Sequence, residues 1–500
     1  MTNPAPATRG LPGSAGNLGR ANYQTIGLIL GPALFAIMMA LGNVQTTMDP
    51  QAWRVAAVGL WMAAWWATEA VPVPVTALLP IATFNLLGIA SLKESTEPYA
   101  NPIIYLFLGA FILALAVEKW RLHKRIALLI LSRTGTDGSR LVGSFMLVSA
   151  LLSMWMTNTS TTMMLFPIAV SVVSVIIENV DGLEEKQKSD FQTAMLLGLA
   201  YAATIGGLAT LVGTPPNALL AAFLAENYGI EISFAQWMLV GVPVAMIMLP
   251  LGWLVLTRGV YRVNIPASGK ASEHLETLKA DLGPITKPEK RVAITFALVV
   301  LAWMLRRPLA SFFGLEGLSD AGIVIIASVF LFLCPSGDDK QPQLMAWQDV
   351  NRLPWGVLIL FGGGLSLASA VSSSGLAHWL GESLSPVGAL GIVSLILAAT
   401  CLVIFLTELT SNLATTATFL PVVAAIAVQA DIPPLMLLVP ITLAASCAFM
   451  LPVATPPNAI VFASGMLTIP QMVRAGFILN MLGMGVLALI AVWWAPVVLA

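Results

Sequence analysis

Two polar runs lie inside otherwise lipid-grade sequence, Thr157-Asn158-Thr159-Ser160-Thr161-Thr162 and Ser411-Asn412-Leu413-Ala414-Thr415-Thr416, each with a proline nine residues beyond its Asn, Pro167 and Pro421. Each is followed by a second matched break, Gly213-Thr214-Pro215-Pro216-Asn217 in one case and Ala454-Thr455-Pro456-Pro457-Asn458 in the other. Hydroxyls recur at one spacing. Ser153 with Thr157 and Thr407 with Ser411 are four residues apart, which predicts that each pair shares one face of a helix near carbonyls freed by the break. An oxygen-only cluster of this kind suits a hard monovalent cation such as Na⁺. The plainer alternative, hydroxyls bonding back to their own helix, has to occur twice in matched surroundings. The breaks add to the chemistry, because a helix that stops offers carbonyls to a cation and one that starts offers N–H groups to an anion. Thr214 and Thr455 suit N-cap positions, with Pro215 and Pro456 at the first helical residue, where a missing N–H does no harm.

The elements that hold these residues must be membrane helices. With 58% hydrophobic and 10% charged side chains over 500 residues, and a mean hydropathy of +0.87, the chain reads as an all-α polytopic membrane protein. The apolar stretches run on without the ten-residue alternation of a barrel. A net charge of −1 excludes a nucleic-acid partner, and three widely spaced cysteines and three scattered histidines give neither a disulfide framework nor a metal constellation. No nucleophile–base pair adjoins the polar runs, so an enzyme is not expected. The first apolar stretch reads as an uncleaved anchor, and Trp65-Trp66 and Trp493-Trp494 as interfacial belts.

Placing the amino terminus in the cytoplasm puts 20 of the 24 Lys and Arg residues inside, leaving Arg54, Lys93, Arg306 and Arg307 outside, with the carboxyl terminus also outside. The arms around Asn158 join positive loops and those around Asn412 join loops without Lys or Arg. One hairpin therefore enters from each side, as in an inverted repeat of two re-entrant helical hairpins with broken helices. The expected organisation is a disordered tail over residues 1–22, a first half over 23–263 with its hairpin at about 141–178, a cytoplasmic linker over 264–288, and a second half over 289–500 with its hairpin at about 388–428. About 11 transmembrane helices are expected. Irregular backbone at that depth is tolerated only where protein or a water-filled cavity satisfies it. Among the carboxylates, Glu69 and Glu118 read as structural groups near span ends, whereas Glu408 either braces the second hairpin or carries a proton.

At these residues the chain resembles the divalent anion:sodium symporter (DASS) family, the dicarboxylate transporters that include the bacterial INDY proteins. The likeness also rests on Thr68-Glu69-Ala70-Val71-Pro72, Glu118-Lys119-Trp120 and Leu451-Pro452-Val453-Ala454-Thr455-Pro456-Pro457-Asn458-Ala459, and it spans nearly the whole chain. The resemblance implies a homodimer in a bacterial inner membrane, with a scaffold domain and a transport domain moving as an elevator. It implies one Na⁺ site on Ser153, Thr157, Asn158 and Gly213 and a second on Thr407, Ser411, Asn412 and Ala454. The substrate carboxylates would meet Asn158, Thr159, Thr214 and Pro215 from one half and Asn412, Leu413, Thr455 and Pro456 from the other. Thr157 stands where the family usually has Ser, which keeps an oxygen ligand. Leu413 stands where it usually has Thr, which removes a hydroxyl. The implied activity is Na⁺-coupled uptake of a C4-dicarboxylate (succinate, malate or fumarate). Na⁺-independent dicarboxylate exchange, or transport of another divalent anion such as citrate or sulfate, is the alternative.

Overall fold

The computed structural model describes residues 22–180, 182–338, 341–383 and 391–499. The tail expected over 1–22 lies outside the described residues up to residue 21, as do the first residues of the second hairpin at 388–390. Among the described residues seven helices are long and apolar enough to cross a membrane, or eight if Lys287–Met304 and Arg306–Phe313, bent by 79°, count as one span. Shorter apolar helices, including Gly138–Ser153, Ile392–Thr407 and Pro434–Ala445, complete a multi-pass membrane protein. A two-stranded antiparallel ribbon, Pro335–Asp338 with Gln341–Gln343, departs from the all-helical expectation. Residues 335–343 sit in a Pro-, Gly- and Gln-containing stretch with too little apolar periodicity to reveal a ribbon.

One order of elements recurs. A helix–break–helix hairpin (Gly138–Ser153 with Asn158–Asn179; Ile392–Thr407 with Asn412–Gln429) leads to a helix that ends early (Glu185–Gly207; Pro434–Ala445). An irregular segment follows, then a short helix opened by Pro-Pro-Asn (Pro215–Tyr228; Pro456–Ala463). A long helix closes each series, Phe234–Leu254 or Ile469–Leu489. Each of these is launched by a capping box, Ser233 with Gln236 or Thr468 with Gln471, and each runs into one π-helical turn.

The core runs along Glu185–Gly207, buried continuously from Thr193 to its end. Small residues let backbones touch there, as is usual between membrane helices. A methyl group on Gly206 would fall 2.2 Å from the Ala150 carbonyl oxygen, so this glycine sets how closely the first hairpin arm approaches. Gly363 does the same elsewhere, a methyl there falling 2.3 Å from Ala77 O, which brings the broken segment Val73–Thr83 onto helix Trp355–Ser373. Trp66, expected in an interfacial belt, is instead fully buried, its Nε1–H donating to Val73 O at 3.2 Å. That carbonyl belongs to the first residue of the short helix Val73–Thr76, which follows the break after Thr68, and the indole follows it inward. Trp493, by contrast, is exposed. The connector over 264–288 carries a helix, Gly269–Ala280, and clasps the first hairpin: Lys270 Nζ donates to Asn179 Oδ1 at 2.6 Å, and Ser171 Oγ lies 2.6 Å from His274 Nε2.

Candidate functional site

Helix Gly138–Ser153 stops where it does because a new helix start competes with it. Thr157 adopts extended backbone (φ −62°, ψ 143°), and its Oγ1 accepts from the Ser160 N–H at 3.2 Å, launching Asn158–Asn179. Ser411 holds the same position (φ −66°, ψ 132°) ahead of Asn412–Gln429. The four-residue spacing of Ser153 with Thr157 and of Thr407 with Ser411 therefore spans a break. It does not mark one helix face as expected, since the first member of each pair ends a helix and the second caps the next. The hydroxyls instead reach the asparagines. Ser153 Oγ donates to Asn158 Oδ1 at 2.5 Å, and Thr407 Oγ1 donates to Asn412 Oδ1 at 3.0 Å and lies 2.7 Å from Ala445 O.

The second breaks match as closely. Thr214 (φ −143°, ψ 138°) and Thr455 (φ −142°, ψ 148°) both occupy N-cap positions with proline at the first helical residue. Thr455 Oγ1 accepts from Asn458 N at 3.4 Å, while the Thr214 side chain makes no such cap. Each irregular segment is stapled by the asparagine of its Pro-Pro-Asn. Asn217 Nδ2 donates to the carbonyls of Gly207 (3.1 Å), Leu208 (3.3 Å) and Thr210 (2.8 Å), and Asn458 Nδ2 to those of Ala448 (3.4 Å) and Leu451 (3.1 Å). Each segment also lies on a glycine of the following long helix. A methyl on Gly241 would fall 2.4 Å from Leu208 O, and one on Gly476 would fall 2.3 Å from Phe449 O. The amide staples satisfy carbonyls that burial would otherwise orphan, and the glycine seats let the irregular segments pack against the long helices.

All four breaks face one cavity of about 1400 Å³. Thr157, Asn158, Thr159, Gly213, Thr214 and Pro215 line it from the first half, and Ser411, Asn412, Leu413, Ala454, Thr455 and Pro456 from the second. Ser153 and Thr407 are fully buried and absent from this wall, each bonded to the asparagine that is on it. Gly207, which the sequence reading passed over, is where two expected ligands meet. A Cβ there would stand 2.8 Å from Asn158 Oδ1 and 3.1 Å from Gly213 O, so only a bare Cα leaves the space between these oxygens open. The donor set is all neutral oxygen, the kind a hard cation takes.

Charged residues share the cavity wall with the breaks. The break residues are uncharged, whereas Glu69, Glu118, Lys119, Arg121, Lys124 and Arg352 line the same cavity as its charged members. Three of these are committed to ion pairs that tie the end of helix Pro102–Lys119 to the 344–352 segment. Lys119 Nζ meets Asp349 Oδ2 at 2.7 Å, and Arg352 pairs with Glu118. Glu69 (φ 45°) and Arg121 (φ 59°) both adopt left-handed backbone at helix ends. Such conformations cost on the order of 1–3 kcal/mol and persist where the surroundings enforce them. Glu408 is buried and does not line the cavity.

The profile of a family described as the sodium:sulfate symporter transmembrane region matches residues 23–500. Among relatives, the sodium-dependent dicarboxylate transporter SdcS of Staphylococcus saprophyticus is 40% identical over 479 residues, covering 95% of this chain and 92% of that protein. SdcS of Staphylococcus aureus strain USA300 is 39% identical over 486 residues, with the same coverage. Two solved structures share the fold. The YdaH transporter of Alcanivorax borkumensis has a TM-score of 0.53 at 13% identity, covering 95% of this chain and 99% of its own. MtrF of Neisseria gonorrhoeae has a TM-score of 0.52 at 11% identity, covering 93% and 98%.

Proposed function

This chain belongs to the sodium:sulfate symporter transmembrane family, and on that premise we propose that it is a secondary transporter coupling Na⁺ to the uptake of C4-dicarboxylates across a bacterial inner membrane. The observation that carries this reading is the convergence of four helix breaks, two from each repeat, on one cavity to which the breaks bring neutral oxygens and amides. The names of the SdcS relatives point the same way.

A dianion near the middle of a membrane is too costly unless positive charge accompanies it. The break residues supply no basic side chain, so Na⁺ fills that role. In the first half it is held by Ser153, Thr157, Asn158 and Gly213, in the second by Thr407, Ser411, Asn412 and Ala454. With a cation drawing on Asn158 Oδ1, the Ser153 hydroxyl turns its lone pair to the ion and gives up its present hydrogen bond, which couples occupancy to the shape of the hairpin tip. The helix starts at Asn158 and Asn412 then present N–H groups, side-chain amides and the Thr159 hydroxyl to the substrate carboxylates, while the starts at Pro215 and Pro456, whose prolines have no N–H, contribute the Thr214 and Thr455 hydroxyls. If more than two Na⁺ accompany a dianion, each net charge carried inward gains about 2.3 kcal/mol per 100 mV of membrane potential.

The cavity contains Lys119, Arg121, Lys124 and Arg352, which the charge distribution assigns to the cytoplasm, so this conformation is read as inward-facing. The amino terminus is then cytoplasmic and the carboxyl terminus outside. Exchange with the outward-facing state proceeds by an elevator movement of the hairpin-bearing domain against a dimeric scaffold. Radiolabelled succinate uptake into proteoliposomes, with Na⁺ or choline outside, tests the reading: uptake should require Na⁺, and uptake indifferent to it ends the symport assignment. Leu413 favours a second reading in which another divalent anion is preferred, because it places an apolar side chain where the first hairpin has Thr159. Competition by citrate or sulfate in the same assay separates the two.

A further inference from the structure

The two repeats are not equivalent at the joint between hairpin tip and second break. In the first half the joint is a neutral bond: the Thr210 hydroxyl donates to the Met154 carbonyl at 2.5 Å and accepts from Gly213 N at 3.0 Å. The residue of the second hairpin that matches Met154, following Thr407 as Met154 follows Ser153, is Glu408. Its side chain makes the joint. Oε1 accepts from Phe449 N (2.8 Å), Met450 N (2.9 Å) and Asn480 Nδ2 (2.7 Å), and Oε2 from Met450 N (3.1 Å) and Leu451 N (3.0 Å). Every contact is a donor aimed at an oxygen, the arrangement that suits a carboxylate and leaves no acceptor for an acid proton. Glu408 is 3% exposed and Asn480 fully buried.

We infer that Glu408 is a positioning residue that makes the second-half cation site the tighter of the two. The inference rests on the Na⁺-coupled reading above. The carboxylate fixes the backbone of 449–451, the segment that leads into Ala454, against the helix end that carries Thr407. It thereby sets the spacing between the ligands contributed by the hairpin and those contributed by the break. It also places one fixed negative charge, poorly screened by its buried surroundings, beside a site whose own ligands are neutral. The first-half site has the same kind of ligands and a neutral joint, so at low Na⁺ the second-half site fills first and orders its hairpin before the other. Glu408 thus takes the bracing role, one of the two the sequence left open, and adds an electrostatic one.

The test is a Na⁺ titration of thermal unfolding on the purified full chain, with choline balancing ionic strength, alongside succinate uptake. Glu408→Gln keeps size and removes charge. It should raise the Na⁺ needed for half the maximal stabilisation by about tenfold or more, while the KM for succinate at saturating Na⁺ stays within about twofold of wild type. Thr210→Ala, which opens the neutral joint of the first half, should move the Na⁺ half-saturation several times less. Glu408→Asp keeps the charge and loosens the contacts. It should lower the unfolding temperature without Na⁺, yet keep the half-saturation within about threefold of wild type; this variant also serves should Glu408→Gln not fold. A Glu408→Gln protein that is less stable but has wild-type Na⁺ half-saturation, or a Glu408→Asp protein shifted as far as Glu408→Gln, overturns the inference. Wild type that gains no stability from Na⁺ sinks the parent reading instead.

Discussion

Gly207→Ala adds one methyl group at the point where Asn158 Oδ1 and Gly213 O come together. The new carbon would stand 2.8 Å from the first and 3.1 Å from the second. The closer of these is shorter than carbon and oxygen tolerate, and the farther is backbone, so the Asn158 amide has to turn away. Two costs follow. Forcing a methyl into a packed core costs about 1–3 kcal/mol of stability. Losing one oxygen from a bound cation costs about 1.5–3 kcal/mol of affinity, roughly tenfold to a hundredfold in the Na⁺ concentration required. Gly198→Ala is the matched control. It is buried on the same helix, but its methyl meets the flexible Met146 side chain, at 3.1 Å from Cγ. Na⁺-dependent thermal unfolding and Na⁺-dependent succinate uptake read both variants. Gly207→Ala should shift the Na⁺ half-saturation by at least tenfold, and Gly198→Ala should leave it at the wild-type value. A Gly207→Ala protein with unaltered Na⁺ dependence would refute the first-half site.

Other consequences can be checked in the same preparations. Leu413→Thr restores a hydroxyl beside the substrate and should lower the succinate KM about tenfold, as one hydrogen bond to a charged group would; an unchanged KM places the carboxylate elsewhere. Asn217→Ala removes three donor contacts and Asn458→Ala two. Both should lower the unfolding temperature, Asn217→Ala by more, since each buried carbonyl left bare costs about 1–3 kcal/mol. Arg125→Ala strands Glu289, which is 3% exposed, and frees the Gly283 carbonyl, to which Arg125 donates at 3.0 Å. A loss approaching the roughly 3–5 kcal/mol of a broken buried pair is expected, reduced by the partial exposure of Arg125, and Glu289→Gln should cost less. Equal unfolding temperatures for the two variants would contradict this.

Much of the site was legible because its signals are local. Asn158, Asn412 and the two Pro-Pro-Asn breaks are read from helix-start chemistry, and 12 of the residues they led to line the cavity. What was missed depends on contacts across the fold. The spacing of Ser153 and Thr157 looked like helical periodicity, and only the competition from a second N-cap turns it into a break. Gly207, Gly241 and Gly476 gain their roles from the backbone of another element, which a single sequence does not display. Trp66 sat beside Trp65 in a motif typical of membrane interfaces, yet the short helix Val73–Thr76 beyond the break after Thr68 draws it into the core. Glu408 was visible as an acid in an apolar arm, but its donors come from residues 449–451 and 480, more than forty positions away.

Equilibrium binding of labelled succinate to the purified protein, in Na⁺ and in choline at equal ionic strength, bears most directly on the central claim that cations held at interrupted helices take the place of basic side chains. Saturable binding should be present in Na⁺, absent in choline, and lost in both Asn158→Ala and Asn412→Ala. Equal binding in the two salts, or full binding by either asparagine variant in Na⁺, would contradict it.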